Sequence, residues 1–118
     1  MINFKTKVIE TQWNSDYLNT KLRLLVMVIG MYMLLHYKVV MTITSIFREG
    51  DKGVHGYWRG VDIRVHDFKS GEAEELTNWI NKMFDYDPKR ILSVAVHHNV
   101  GQGDHIHLQV HPNTTFRI

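Results

Sequence analysis

The sequence predicts an α+β domain, a small antiparallel sheet with helices on one face, and three observations carry that expectation. An uncharged apolar run, Leu24 to Leu35, and a second apolar set at helical spacing, Leu76, Trp79, Ile80 and Met83, predict helices. Segments that are rich in β-branched residues, or that alternate apolar with polar, predict strands. Turn-forming stretches, Glu49 to Gly53 and Asn99 to Asp104, let strands fold back on one another. Helices packed on one face of such a sheet leave the other face open.

Taken in order, residues 1–16 are mixed and polar and are expected to form a loosely attached N-terminal arm, docked by Trp13. Asn14, Ser15 and Asp16 each offer a cap for a helix starting near Tyr17. That helix runs to about Tyr37, with Gly30 as a weak point or a place of close packing. Lys38 to Phe47 (KVVMTITSIF) reads as a strand. Gly60 to Val65 reads as a shorter one, with Val61, Ile63 and Val65 on one side and Asp62 on the other. Ser70 begins a second helix, with Glu72 to Glu75 near its N-terminus, where acids favour the helix dipole. Leu76, Trp79, Ile80 and Met83 form its core side, and Tyr86-Asp-Pro88 ends it. Ile91 to Val96 is expected as a strand, Asn99 to Asp104 as a glycine-bearing turn, and His105 to Val110 as the strand that pairs back. With 118 residues and neither repeat nor linker, the chain is expected to be one domain, 1–118.

Composition narrows the functional classes. A net charge of +2 and the lack of a basic run argue against a nucleic-acid partner. The absence of cysteine excludes disulfides, thiol catalysis and thiolate metal ligands. The run Leu24 to Leu35 is twelve residues long, against the roughly 20 that a membrane span needs. It lacks the small-residue cleavage site of a signal peptide, so a buried helix is expected and stable membrane insertion is not.

Two stretches carry chemistry. His55-Gly-Tyr-Trp-Arg-Gly-Val-Asp62 sets a histidine seven positions before a carboxylate. Asp104-His-Ile-His107 sets a carboxylate three positions before a histidine. On the last strand His105, His107 and Gln109 share one face, and Ile106, Leu108 and Val110 the other. The apolar face is the core side, so the histidines and Asp62 look toward the open face of the sheet. His55, Asp62 and His107 therefore form a nitrogen/oxygen ligand set of the catalytic zinc type, one ion per chain, with a fourth position for water. Asp104 is the candidate acid/base. Tyr57 and Trp58 are expected to wall the cleft. His97 and His98 end a strand beside it, and His98 is a candidate substrate contact.

The pattern resembles the zinc D-alanyl-D-alanine carboxypeptidase and L-alanyl-D-glutamate endopeptidase family, including phage endolysins, which shares its fold with the hedgehog signalling domain. That family's signature is Ser-x-His-x-x-Gly-x-Ala-x-Asp, followed by a Glu or Asp three before a final His. His55, Asp62 and His107 match its ligands and Asp104 its acid/base. Arg48, after Thr44-Ser-Ile-Phe47, matches a Ser-x-x-Arg arginine that contacts substrate. Gly53, Trp58 and Gly60 depart from it, standing where the family has Ser, often Gly, and Ala.

The resemblance implies a hedgehog-like fold and metal-assisted hydrolysis of an amide in the peptidoglycan stem peptide. Arg48 would hold a carbonyl or carboxylate with its planar fork. His105 has three open roles: acting beside the metal, binding substrate, or facing solvent. The implied setting is a phage or prophage lysis enzyme, made in the cytoplasm and acting on the wall after release. A metal-binding module of the same fold without catalysis is the alternative.

Overall fold

A computed structural model describes residues 1–99 and 104–117. The strands are β1 (Ile2–Phe4), β2 (Met41–Ser45), β3 (Gly60–Arg64), β4 (Phe84–Asp85), β5 (Ala95–Asn99), β6 (Asp104–Gln109) and β7 (Thr115–Phe116). The helices are α1 (Lys7–Trp13), α2 (Thr20–Tyr37) and α3 (Glu72–Met83). Five strands form one sheet in the order β1-β2-β3-β6-β5, and β4 pairs with β7 in a separate ribbon. The chain is thus α+β, as expected, but its main sheet is mixed. β1 runs parallel to β2, and the other pairs are antiparallel. Parallel neighbours need a crossover, and α1 with α2 supplies it.

That pairing corrects the expectation of a loose N-terminal arm. Ile2, Asn3 and Phe4 pair with Met41, Thr42 and Ile43, which makes β1 an edge strand. The Thr6 side chain caps α1 by accepting from the Ile9 N–H, and Ile9 reaches the core. Trp13 packs on Phe4. A strand of three residues, Ile2-Asn3-Phe4, leaves too little periodicity to be read.

Helix α2 starts later than expected. Asn19, and not residue 14, 15 or 16, accepts from the Leu22 N–H. The helix ends at Lys38 in the left-handed region (φ 59°), which delays β2 to Met41. Leu22, Leu25, Val26, Ile29, Gly30 and Met33 are buried. Leu24, Met27, Val28, Met31, Leu34 and Leu35 are exposed, so the helix is half-buried and not buried throughout. By length and composition it is apolar enough to cross a membrane.

Helix α3 buries Leu76 and Ile80. Trp79 and Met83 flank the core, and Trp79 stacks on Tyr32 of α2 with ring centroids 3.7 Å apart. Strand β5 is displaced toward the C-terminus of the expected Ile91–Val96, and Ile91 and Leu92 lie exposed. The side chain of Asn81 sets the new frame by holding both the N–H and the carbonyl of Ala95 at 2.9 Å. The expected turn at 99–104 falls largely on residues 100–103, outside the described residues.

The core lies between the helices and one face of the sheet. Met41, Ile43, Val61, Ile63, Ala95, Ile106 and Leu108 project into it. Because side chains alternate along a strand, Asp62 on β3 and His105 and His107 on β6 project from the opposite face. Register sets Asp62 directly across from His107, and His98 across from His105.

Candidate metal centre

Strand pairing brings His107 Nδ1 to 2.9 Å from Asp62 Oδ1. His55 arrives from outside the sheet, on a tight 3-10 turn, Val54–Tyr57. That turn crosses β3 closely: a Cβ on Gly60 would lie 2.6 Å from Val54 Cγ2 and 3.3 Å from His107 Cε1. Glycine at 60, where the resembled family has alanine, thus lets the turn settle onto the strand. His55 Nε2 then lies 3.4 Å from Asp62 Oδ1. One ligand atom from each of His55, Asp62 and His107 lies within 4.8 Å of the others. His55 and Asp62 are buried and His107 is partly buried.

The outer hydrogen bonds decide which ring nitrogens face inward. His55 Nδ1 is 2.6 Å from the carbonyl of Ile46, which can only accept, so Nδ1 carries the proton and Nε2 points its lone pair at Asp62. The Gln109 amide donates to the Ser93 carbonyl, which turns its Oε1 toward His107 Nε2 at 3.1 Å. His107 Nε2 is then a donor to Gln109, and Nδ1 faces Asp62 Oδ1 at 2.9 Å, through a shared proton here or with its lone pair toward a metal ion when one is held. Two imine nitrogens and a carboxylate oxygen converge on one point. Such an arrangement is favourable only around a shared cation, a proton or a metal ion, and the outer acceptors are those that commonly orient metal-binding histidines. The group could therefore hold a metal ion.

Asp62 is held on its other side as well. Its Oδ2 accepts from an Arg48 terminal nitrogen at 2.7 Å. Burial alone would raise the pKa of this carboxyl. With protons on the facing nitrogens of His107 and His55, their hydrogen bonds and positive charge outweigh that effect and hold it far below the usual carboxylate value; a bound metal ion would take the place of those protons. It stays ionised at neutral pH, as a ligand must.

Arg48 differs from its expected role. Its guanidinium engages Asp62, the Ser45 hydroxyl at 3.1 Å and the Asp51 carboxylate at 3.7 Å. It holds the Asp62 carboxylate, where the resemblance implied a contact with substrate. Asp104 also stands elsewhere. Three positions from His107 on a regular strand, it shares the face of Ile106 and Leu108, and its carboxylate hydrogen-bonds His97. The expected acid/base is therefore not beside the ligands.

Two histidines are. His105 Nε2 is 3.9 Å from Asp62 Oδ1, and the His98 ring lies 5.3 Å from that of His105 and 6.2 Å from that of His107. Of the expected cleft wall, Trp58 stacks on Phe47 at 4.5 Å and meets Tyr17, while its carbonyl accepts from the Asn19 N–H. It pins the loop to the start of α2. Tyr57 is exposed and packs against the Arg59 guanidinium. Gln109, Ser45 and the Ile46 carbonyl were not read as site groups from sequence. Gln109 was legible in principle, because it lies two positions beyond His107 on the same face.

No family model, curated protein or solved structure compared with the chain matches it.

Proposed function

We propose that His55, Asp62 and His107 hold a zinc ion and that the chain is a zinc-dependent peptidase, cleaving an amide bond in the peptide part of bacterial peptidoglycan. The observation that carries the reading is the convergence of two histidine ring nitrogens and a buried carboxylate on the open face of the sheet. Two histidines with one carboxylate, and no cysteine, are a donor set of catalytic zinc centres. When bound, zinc supplies Lewis acidity and a nucleophilic water at neutral pH.

The chain's own residues account for the rest. Ile46 and Gln109 keep the two ligand rings in the correct tautomer. Arg48 and the buried setting keep Asp62 charged and fixed. His105, on the same face with Nε2 3.9 Å from Asp62 Oδ1, would in this reading take a proton from water and return it to the leaving amine. An imidazole suits that role because its ring nitrogens can both accept and donate a proton. The stem peptide as substrate, and a phage or prophage lysis enzyme as the setting, rest on the resemblance of the His55–Asp62 and Asp104–His107 stretches.

One observation favours a second reading. With Asp104 on the far side of the sheet, the carboxylate expected beside the metal is missing from the open face, as it would be in a metal-binding module without catalysis. One experiment separates the two. Purified peptidoglycan is incubated with zinc-loaded protein, and the products are identified by mass. New amino and carboxyl termini in the stem peptide, lost on chelation and restored by zinc, support the peptidase. Stoichiometric zinc with no cleavage supports the module.

A further inference from the structure

We propose that α2 is the contact helix of a homodimer, packed antiparallel against the α2 of a second copy about a two-fold axis. One side of this helix already packs on the sheet. The opposite side exposes Leu24 (53%), Met27 (48%), Val28 (41%), Met31 (62%), Leu34 (38%) and Leu35 (70%). No charged residue occurs between Arg23 and His36. Helix α3 in the same layer shows the ordinary arrangement, because its outward positions Glu74, Glu75, Asn78 and Lys82 are all polar. A monomer gains nothing from an apolar outer face, and water is a poor neighbour for it.

The stripe fits a second copy of itself. Leu24, Val28, Met31 and Leu35 follow one another in steps of four, three and four, the spacing of a helix–helix seam. That sequence of steps reads the same in both directions. An antiparallel copy therefore sets Leu24 against Leu35 and Val28 against Met31, the self-complementarity that a two-fold interface requires. Beside the stripe lies a groove of about 490 Å³, lined in part by Met1, Ile2, Phe4, Trp13, Met27 and Met31, which widens the apolar surface. Joining two such faces removes on the order of 1,000 Å² or more from water, near the lower bound of a specific interface.

Charge at the border of the stripe is mixed, with Glu10 paired to Lys7 at 2.7 Å and Glu75 4.0 Å from His36, so the self-complementary spacing and the apolar area are what favour a second copy. The helical layer is also opposite the open sheet face, so pairing through it leaves both metal centres facing solvent.

Sedimentation of the full chain over a concentration series tests the proposal, with anionic phospholipid vesicles as a separate arm. The wild type is expected at twice the chain mass, and Met31→Lys at the chain mass with an unchanged circular-dichroism melt. Two double variants test the register. Leu24→Lys with Leu35→Lys sets like charges together, and Leu24→Lys with Leu35→Glu sets opposite ones. The first should dissociate at a concentration roughly tenfold or more above the second, since like charges facing each other are strongly disfavoured. A wild type at the chain mass throughout overturns the proposal. So does a monomer that sediments with the vesicles, or a pair of double variants that dissociate alike.

Discussion

Strand β6 presents two unlike faces from one run of six residues. On the open side, His105, His107 and Gln109 are partly buried, and hydrogen bonds set the orientation of His107 and Gln109. On the other side, Ile106 and Leu108 are fully buried and are held by packing alone, with Asp104 beside His97 at the strand's end. The difference lies in the pleat. A step of two along the strand keeps His105 with His107, whereas a step of three sends Asp104 to the opposite face. A spacing that names an acid/base in a bent segment names a different residue in a regular strand. In the proposed peptidase, the acid/base role therefore passes from a carboxylate to an imidazole.

The largest separation between the faces should appear when adjacent residues are truncated. His107→Ala removes a ligand and should weaken zinc binding by more than about 100-fold, beyond the effect expected for an outer partner. Ile106→Ala, its neighbour, should retain stoichiometric zinc while losing about 2–5 kcal/mol of stability, the usual cost of a large-to-small change in a core. Zinc titration and urea denaturation of both variants measure the contrast. Wild-type zinc affinity in His107→Ala would break it.

Next in size is His105. Its replacement by Ala should keep zinc and fold but lower hydrolysis by about 10²–10⁴-fold, the range of general acid/base assistance. Steady-state cleavage of a stem peptide measures this. Near-normal turnover would leave His98 as the remaining imidazole beside the ligands.

A smaller effect is expected at Gln109. Gln109→Leu removes the acceptor that holds the His107 tautomer, and should weaken zinc by about 10–100-fold without unfolding the chain. Competition with a chelator of known affinity gives the value. An unchanged affinity would mean that packing alone orients the ring.

How much of this was legible follows from pattern length. The alternation of β3 and β6 was readable because each strand offers five or six residues of clear polarity, and it put Asp62 and His107 on one face, where His55 from the preceding turn joins them in a group that could hold a metal ion. Strands β1, β4 and β7 have only two or three residues, too few to show a period. The frame of β5 was misread because Ile91, Leu92, Val94 and Val96 look like the strand, whereas the Asn81 side chain decides where pairing begins. No local pattern reports a clamp made fourteen residues away. Helix α2 posed the opposite problem. Being apolar on both sides, it declares its length but not which side is buried. Asp104 was a conflict between two signals: alternation already assigned it to the core side, and the family spacing overrode it.

The smallest expected effect is the most diagnostic, and it concerns Asp104. If the pleat governs, Asp104→Asn should change neither zinc content nor stem-peptide cleavage by more than a fewfold, because its carboxylate is directed to the face shared with Ile106. Its partner there is His97, and the Asp104 side chain is 42% exposed. Exposed ion pairs contribute about 0–1 kcal/mol, so the melting temperature should fall slightly or not at all. An asparagine also keeps a carbonyl oxygen that can accept from His97, which reduces the loss further. A drop in cleavage of about 10²-fold or more at unchanged zinc and stability, on the scale of acid/base assistance, would return the role to Asp104. It would also require β6 to leave its regular pleat when substrate binds, since only a local twist can carry that carboxylate around to the open face. The paired result, His105→Ala impaired and Asp104→Asn unaffected, is the one expected if the proposed peptidase draws its acid/base from the open face of a regularly paired strand.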